Sequence, residues 1–444
     1  MKRLVSGIVL MLLLMAMFSL AFYIKPVKSE WAGTVYIRAD GSIYPSDAPI
    51  TTYDNVTYTL TGNITSNANG IVVERDNIAI DGKGFAIRCI NSSLFNIGIL
   101  LNGKRYITIK NVTIEGFGYG VRVESCDREI MIAQSNITKN GVGIYIKAFP
   151  SEVGNLHIYR NNIMANHGGI TIVNSLGVDI TLCNITNNDH YGIYLELSEY
   201  VYIRDNNLIG NNYAIDCYAS VSISINHNNF INNRFDALFD SCFRIKLNLP
   251  YPYGGNYWSK YKGVDLYSGE YQNEMGSDGI GDTPYVIDEN NVDKYPLISP
   301  YPLKAFKCII DGVLHSITVK TESGVTHFMF NQSKAQITFK IEGSSTAWIF
   351  CNLTIPKSLM TGPWNYTYQG DVLDINVYES ENETHTFISL KYRYTGTFQV
   401  VIKASWVVPE YPSTTILTIF MLTTTVLAVL TRSRRLKHRV RYML

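Results

Sequence analysis

The chain lacks most of the features that usually announce an activity. Only 17% of its 444 residues are charged. It has no C-x-x-C pair and no Cys/His spacing of the kind that holds zinc. It has no Met/His cluster suited to copper and no long low-complexity tract, so disorder is not the default state. Stretches with helical periodicity are missing from the interior. Long apolar runs are confined to the two ends, where basic residues flank them. Ten of the 38 Lys and Arg and one of the 37 acids lie in those end segments, which leaves a body with a net charge of about −8. That balance lacks the basic footprint of a nucleic-acid-binding protein. Seven cysteines, an odd number, give no closed disulfide framework. Cys89, Cys126, Cys183 and Cys217 fall at or near strand and turn positions, where a thiol acts as a small hydrophobe. A Cys308–Cys351 bridge is one option.

What is present is a repeat. Asn136, Asn162, Asn184, Asn207 and Asn229 lie 26, 22, 23 and 22 residues apart. Each is followed by one apolar residue (Ile137, Ile163, Ile185, Leu208, Phe230) and, four positions on, by another Asn (Asn140, Asn166, Asn188, Asn211, Asn233). A small residue and an aliphatic come next, as in Gly143-Ile144 and Gly192-Ile193, and an alternating strand such as Val178/Ile180 precedes each marker. A period near 22 with β-type alternation predicts a solenoid, specifically a parallel β-helix with one coil per repeat. Seven or eight coils between Gly70 and Phe239 would make a rod on the order of 35 Å long. The marker Asn residues are expected to occupy left-handed turns and to form an amide ladder between coils. The small residue is expected to ease a tight corner.

The remaining chain divides readily. Residues 1–29 read as a signal peptide, 30–69 as an N-terminal cap, 70–245 as the β-helix and 246–304 as a Tyr/Gly/Asp-rich capping loop region. Six or seven short alternating strands in 305–405 predict a β-sandwich stalk. A Pro-containing linker, 406–413, precedes an apolar span at 414–431 and a basic tail at 432–444. The span is read as one transmembrane helix and the tail as cytoplasmic, with the ectodomain outside the cell. The expected fold is therefore all-β: a right-handed parallel β-helix, a β-sandwich and one C-terminal membrane helix.

Three features together resemble the NosD-like right-handed β-helix proteins. They are the coil repeat, Gly255-Asn256-Tyr257-Trp258-Ser259, and Gly279-Ile280-Gly281-Asp282-Thr283-Pro284-Tyr285-Val286-Ile287-Asp288 followed by Asn291-Val292-Asp293-Lys294-Tyr295-Pro296-Leu297. The C-terminal region is similar to the stalk and anchor of archaeal surface proteins that carry such β-helices. The resemblance implies either carbohydrate binding or cleavage, or a copper-handling role. Where relatives carry a denser Asp run, this chain has Glu270-Tyr271-Gln272-Asn273-Glu274.

Function is expected on outward positions between the ladder residues. Tyr145, Tyr159, Tyr194, Tyr202 and Tyr218 are candidates for stacking on sugar rings. For a polysaccharide hydrolase or lyase, Asp179 and Asp205 on neighbouring coils are the candidate carboxylates, since inverting hydrolysis needs a pair about 6.5–9.5 Å apart. Asp216 and Glu196 are further outward acids. Asp278, Asp282 and Asp288 are candidate Ca²⁺ ligands. Ten N-x-S/T sequons occur. Asn331, Asn352, Asn365 and Asn382 are the candidate glycosylation sites, whereas an inward ladder would make Asn111, Asn136 and Asn184 poor acceptors. The leading expectation is a non-catalytic surface or glycan-binding module, with a membrane and extracellular or cell-wall glycans as partners.

Overall fold

The computed structural model describes residues 31–407 except 92, 127, 148–155, 276, 311–312, 322 and 344. The segments read as signal peptide, membrane helix and basic tail, with most of the linker, lie outside the described residues. No helix among the described residues is long and apolar enough to cross a membrane.

Three parallel sheets of ten, ten and nine strands form the solenoid. Sheet I contains the marker strands, for example Asn136–Thr138, Asn162–Met164 and Asn184–Thr186. Sheet II contains the six-residue strands that follow, such as Val142–Lys147, Gly168–Val173, Tyr191–Glu196, Tyr213–Tyr218 and Phe235–Asp240. Sheet III contains the strands that precede each marker, among them Leu176–Thr181 and Glu199–Arg204. Asn136, Asn162, Asn184, Asn207 and Asn229 are in register across sheet I. The solenoid begins earlier than residue 70. Val35–Ile37, Thr57–Leu60 and Ile64–Ser66 pair in parallel with the following coil. Ile43–Tyr44 and Ile50–Thr51 then add antiparallel pairs at that end. This first coil carries Asn63 and Asn67 at the marker positions, but the next two coils have Ala86 and Thr113 at the place of the first Asn, so the spacing is broken and the repeat did not reveal it.

The apolar residues stack as predicted by period-2 alternation. Ile114, Ile137, Ile163, Ile185, Leu208 and Phe230 form one inner row, each fully buried. At roughly 1.5–3 kcal/mol for each large aliphatic removed from water, such rows supply the main driving force.

The polar ladders differ from the expectation in position. The marker Asn side chains do link from coil to coil, at 2.7–2.8 Å, but they face outward. They also sit inside strands. The left-handed residues lie two before and three after each marker: Gln134, Arg160, Leu182, Asp205 and His227, then Lys139, Ala165, Asn187, Gly210 and Asn232. The buried ladders flank the markers. Asn140, Asn166, Asn188, Asn211 and Asn233 form one. Ser135, Asn161, Cys183, Asn206, Asn228 and Asn256 form the other. Within the first, the Asn188 Oδ1 accepts both the backbone N–H and the amide of Asn166 at 3.1 Å. Its own amide donates to Asn211 Oδ1 and to the Ile163 carbonyl. All four hydrogen-bonding positions of that side chain are filled.

The small residues of sheet II also have a different role. Gly98, Gly120, Gly143, Gly169 and Gly192 have ordinary φ, but a Cβ on any of them would lie 2.3–2.8 Å from another atom, in each case including a carbonyl oxygen of the neighbouring coil. They permit close packing of coils rather than a special turn.

The last coil is closed by the two motifs that carry the family resemblance. Tyr257–Trp258 adds a final strand to sheet I. The Trp258 indole stacks on Phe230 at 4.1 Å and Tyr285 stacks on Trp258 at 4.7 Å, which ends the apolar row with aromatic rings. Asp293 ends the polar row. Each ladder residue donates its backbone N–H to the side chain of the next coil, and Asn256, the last, donates to Asp293 Oδ2 at 2.8 Å. That carboxylate also accepts the Trp258 Nε1–H and the Tyr295 N–H.

Residues 303–407 form a seven-stranded antiparallel sheet around a second core. Two strands, Met360–Glu381 and His385–Val407, are 22 and 23 residues long rather than short. His385–Val407 pairs with Ser345–Pro356 along its first half and with Gln336–Glu342 along its second. It therefore belongs to both halves of the sheet. Cys308 lies opposite His315 and Cys351 opposite Thr321, six residues along the shared strand Val313–Thr321. That offset is roughly 20 Å, so these two cysteines do not bond to each other.

Two outcomes follow from the ladders and the cap. Asn188→Leu leaves several buried partners unmet and should cost roughly 3 kcal/mol or more, whereas outward Asn184→Ala should cost under about 1 kcal/mol. Urea unfolding of the two variants checks this, and equal losses would refute the inward/outward distinction. Burial pushes the Asp293 carboxyl up to about 6 in the folded chain, against about 3.9 when unfolded. A raised carboxylate pKa favours the fold below the unfolded value and loses that contribution as pH rises through 6. The stability of the wild type relative to Asp293→Asn should therefore fall between pH 4 and pH 7, by up to about 3 kcal/mol. Thermal unfolding across that range, with a constant gap, would contradict this.

Candidate functional site

Sheet II presents the densest aromatic and acidic surface. Its outward positions form three rows. Tyr119, Val142, Gly168, Tyr191, Tyr213 and Phe235 make the first. Arg122, Tyr145, Thr171, Tyr194, Asp216 and Leu238 make the second. Glu124, Lys147, Val173, Glu196, Tyr218 and Asp240 make the third.

The rings are held in place by their neighbours. Gly168 has no side chain, and the Tyr191 ring fills that space: a Cβ there would lie 2.5 Å from its Cζ and Oη. Tyr191 exchanges a hydrogen bond with Thr171 Oγ1 at 2.7 Å and packs on Tyr194 at 5.4 Å. Tyr119 packs on Tyr145, with the Arg122 guanidinium over both rings and fixed by Glu124. Tyr213 stacks on Phe235 at 4.7 Å. Each of these tyrosines is half-buried, so an edge or face remains open.

The acids of this face sit beside the rings. The Tyr194 hydroxyl contacts Glu196 at 3.4 Å. Burial and the Glu196 charge push the Tyr194 phenol up to about 12. Burial raises the Asp216 carboxyl above its ordinary value; the nearby His190 opposes this and Asp240 adds to it. Asp216 lies directly opposite Tyr194 on the adjacent strand, and Glu196 is two residues further along. With strands about 4.8 Å apart and about 3.3 Å per residue, the two acids are roughly 8 Å apart at the backbone.

The five tyrosines singled out from the sequence divide between two faces. Tyr145, Tyr194 and Tyr218 lie on sheet II; Tyr159 and Tyr202 lie on sheet III. Tyr159 is covered by the Arg160 guanidinium at 5.0 Å, and Tyr202 is exposed. Tyr119, Tyr191 and Tyr213 were not anticipated. Their signal was an aromatic immediately before the small residue of each coil, as in Tyr191-Gly192 and Tyr213-Ala214.

Asp179 and Asp205 are not equivalent acids on one face. Asp179 is held by Arg204 at 2.7 Å, with His157 beyond at 3.9 Å. Asp205 occupies a left-handed corner next to His227. Asp278, Asp282 and Asp288 are not brought together as a calcium site. Asp278 accepts from Gln272 and the Ile280 N–H, and Asp282 from the Leu266 and Tyr267 N–H groups. Asp288 accepts from Asn290 and Asn291. These carboxylates face N–H donors, which is how turns are capped. Among the described residues no group of three or more His, Cys, Asp or Glu could hold a metal ion. Asn352, Asn365 and Asn382 are exposed and Asn331 is half-buried. Asn136 and Asn184 also face solvent, contrary to an inward ladder, but the Asn184 amide is engaged with Asn162.

Residues 97–273 match the family model of a right-handed beta helix region. No curated protein matches the chain. Among solved structures, the chain is similar to the Dettilon tailspike protein, with 12% identity, a TM-score of 0.36 and coverage of 84% of this chain and 85% of that one. It is similar to the periplasmic alginate epimerase AlgG at 15% identity and a TM-score of 0.28, over 53% and 78% of the two chains. The mannuronan C-5 epimerase AlgE6 A-module of Azotobacter vinelandii gives 14% identity and 0.26, over 49% and 88%. These likenesses add nothing beyond the strand register, and the right-handed β-helix is the architecture that residues 97–273 share with the family.

Proposed function

We propose that the protein is a surface-displayed, NosD-like β-helix that binds an extended carbohydrate along sheet II. The observation that carries this is the set of Tyr145, Tyr191, Tyr194 and Tyr213 on consecutive or nearby coils, each fixed by packing and each half-open to solvent. Rings already ordered in the free protein lose little entropy when a sugar stacks on them. Glu196, Asp216 and Asp240 beside them favour neutral or amino-sugar polymers over polyuronates, because like charges repel. Export by residues 1–29 and anchoring by 414–431, as in archaeal surface proteins, would place this face outside the cell; recovery of the intact chain in a salt-washed membrane fraction tests that placement, and a wholly soluble chain refutes it.

On a glycan array, the purified protein should bind at least one neutral or amino-sugar polymer. Tyr191→Ala and Tyr194→Ala should each weaken that binding about fivefold, for about 1 kcal/mol per ring, while Tyr202→Ala on sheet III leaves it unchanged. A blank array, or equal loss from Tyr202→Ala, overturns the assignment.

A second reading, hydrolysis, is favoured by the raised carboxyl of Asp216 lying diagonal to Glu196 on the same outward face, as an acid and a base would need to be placed. Asp216 would protonate the leaving oxygen and Glu196 would activate water. On the bound polymer, Asp216→Asn should then abolish release of reducing ends while binding persists. Absence of any release by the wild type eliminates this reading.

A further inference from the structure

Sheet II ends differently from its neighbours. Sheet I is continued past the last coil by Tyr257–Trp258. Sheet III is continued by bridges from Val221 to Phe243 and from Ser224 to Lys246. Phe235–Asp240, by contrast, is the terminal strand of sheet II among the described residues. At that end two side-chain rows meet. One is the inward row that contains Ile172, Leu195 and Cys217. The other is a corner row of Ser175, Ser198, Ser220 and Cys242. Each of these side chains donates to the carbonyl two residues before it: Val173, Glu196, Tyr218 and Asp240. The corner group also points back at the inward residue of the preceding coil. Ser198 Oγ reaches the Ile172 carbonyl and Cys126 Sγ reaches that of Leu101. In the last coil, the corner group is Cys242 and the inward residue is Cys217. Their sulfurs are 3.2 Å apart, with Cys242 Sγ also 3.3 Å from the Cys217 carbonyl.

We propose that Cys217 and Cys242 form an oxidisable dithiol that closes to a disulfide, latching the terminal strand of sheet II to the coil before it. A disulfide bond is about 2.05 Å long, so the sulfurs need to approach by only about 1.2 Å. Cys242 is the accessible partner and Cys217 is fully buried. The contact between the two sulfurs lowers the Cys242 thiol and, with burial, raises that of Cys217. Cys242 is therefore the attacking sulfur. The oxidant is a low-molecular-weight disulfide. The Cys242 thiolate attacks one of its sulfurs and expels one small thiolate. Cys217 Sγ then attacks Cys242 Sγ, its proton passing to solvent or the departing group, and the second small thiolate leaves. Two electrons pass from the cysteine pair to the oxidant, and the two cysteine protons end on the two small thiols.

The test is incubation of the full chain with oxidised glutathione, followed by non-reducing peptide mapping and thiol titration in denaturant. The expected result is a Cys217–Cys242 linked peptide lighter by two hydrogens, two fewer free thiols, and a melting temperature that rises and returns with dithiothreitol. Cys242→Ser, which restores the residue found at Ser198 and Ser220, should melt like the reduced wild type and show no rise. A persistent glutathione adduct on Cys242, or an unchanged thiol count, overturns the proposal.

Discussion

Hydrogen bonds between coils are the interaction on which the rest of this molecule depends. Every coil presents backbone and amide groups that only the next coil can satisfy, so the stack is self-consistent in the middle and open at its ends. A buried N–H left without a partner costs on the order of 1–3 kcal/mol, and several rows terminate together at the last coil. The chain resolves this with dissimilar groups. Asp293 supplies the carboxylate oxygen that a further Asn would have supplied to Asn256, and Trp258 covers Phe230 where a further aliphatic would have stacked. The motifs around Asn256 and Asp293 thus have a structural role that their acidity alone would not suggest.

The same constraint separates positions that must repeat from positions that are free. A Cβ at Gly143 or Gly169 would collide with a neighbouring carbonyl, so the small row is fixed by geometry. The residue just before it points outward and is not so constrained. Tyr119, Tyr191 and Tyr213 use that freedom, and at Gly168 the missing side chain gives the Tyr191 ring a place to lie. The aromatic face therefore arises from the packing rule of the coils: a row that excludes side chains is bordered by a row in which large rings can spread sideways.

Much of the solenoid was legible because its period is carried by residue types. Ile137, Ile163 and Ile185 stack because alternation and spacing agree. What was not legible is which of several Asn rows points inward. Asn162 and Asn161 differ by one position and face opposite ways, one exposed and one buried. Nor does residue type mark the corners, since Leu182 and Arg160 adopt left-handed φ without being Asn or Gly. The carboxylates misled for a related reason. Asp179 and Asp282 look available in the sequence, but Arg204 and the Leu266 and Tyr267 N–H groups, distant in the chain, occupy them. The first coil, which includes Val35–Ile37, was hidden because Ala86 and Thr113 interrupt the marker row between its Asn63 and Asn136.

The consequence for function lies in how the ends and the face are coupled. Sheets I and III are continued beyond the last coil, whereas among the described residues sheet II ends on the strand that carries Phe235, Leu238 and Asp240. An edge strand with open hydrogen-bonding groups is the part of a sheet most prone to fray or to pair elsewhere. Here that edge is also one border of the aromatic face, since Tyr213 stacks on Phe235 and Asp240 lies beside Tyr218. Order in the terminal strand is therefore transmitted to the rings by direct contact. Asp236, which takes the place of the small residue in this last coil, ties the strand to the cap through Lys260 and the Tyr285 hydroxyl. Tyr285 in turn stacks on Trp258. The group that closes the core and the group that steadies the end of the proposed binding face are thus one connected set, and loosening the cap should disorder the face before it disorders the middle of the rod.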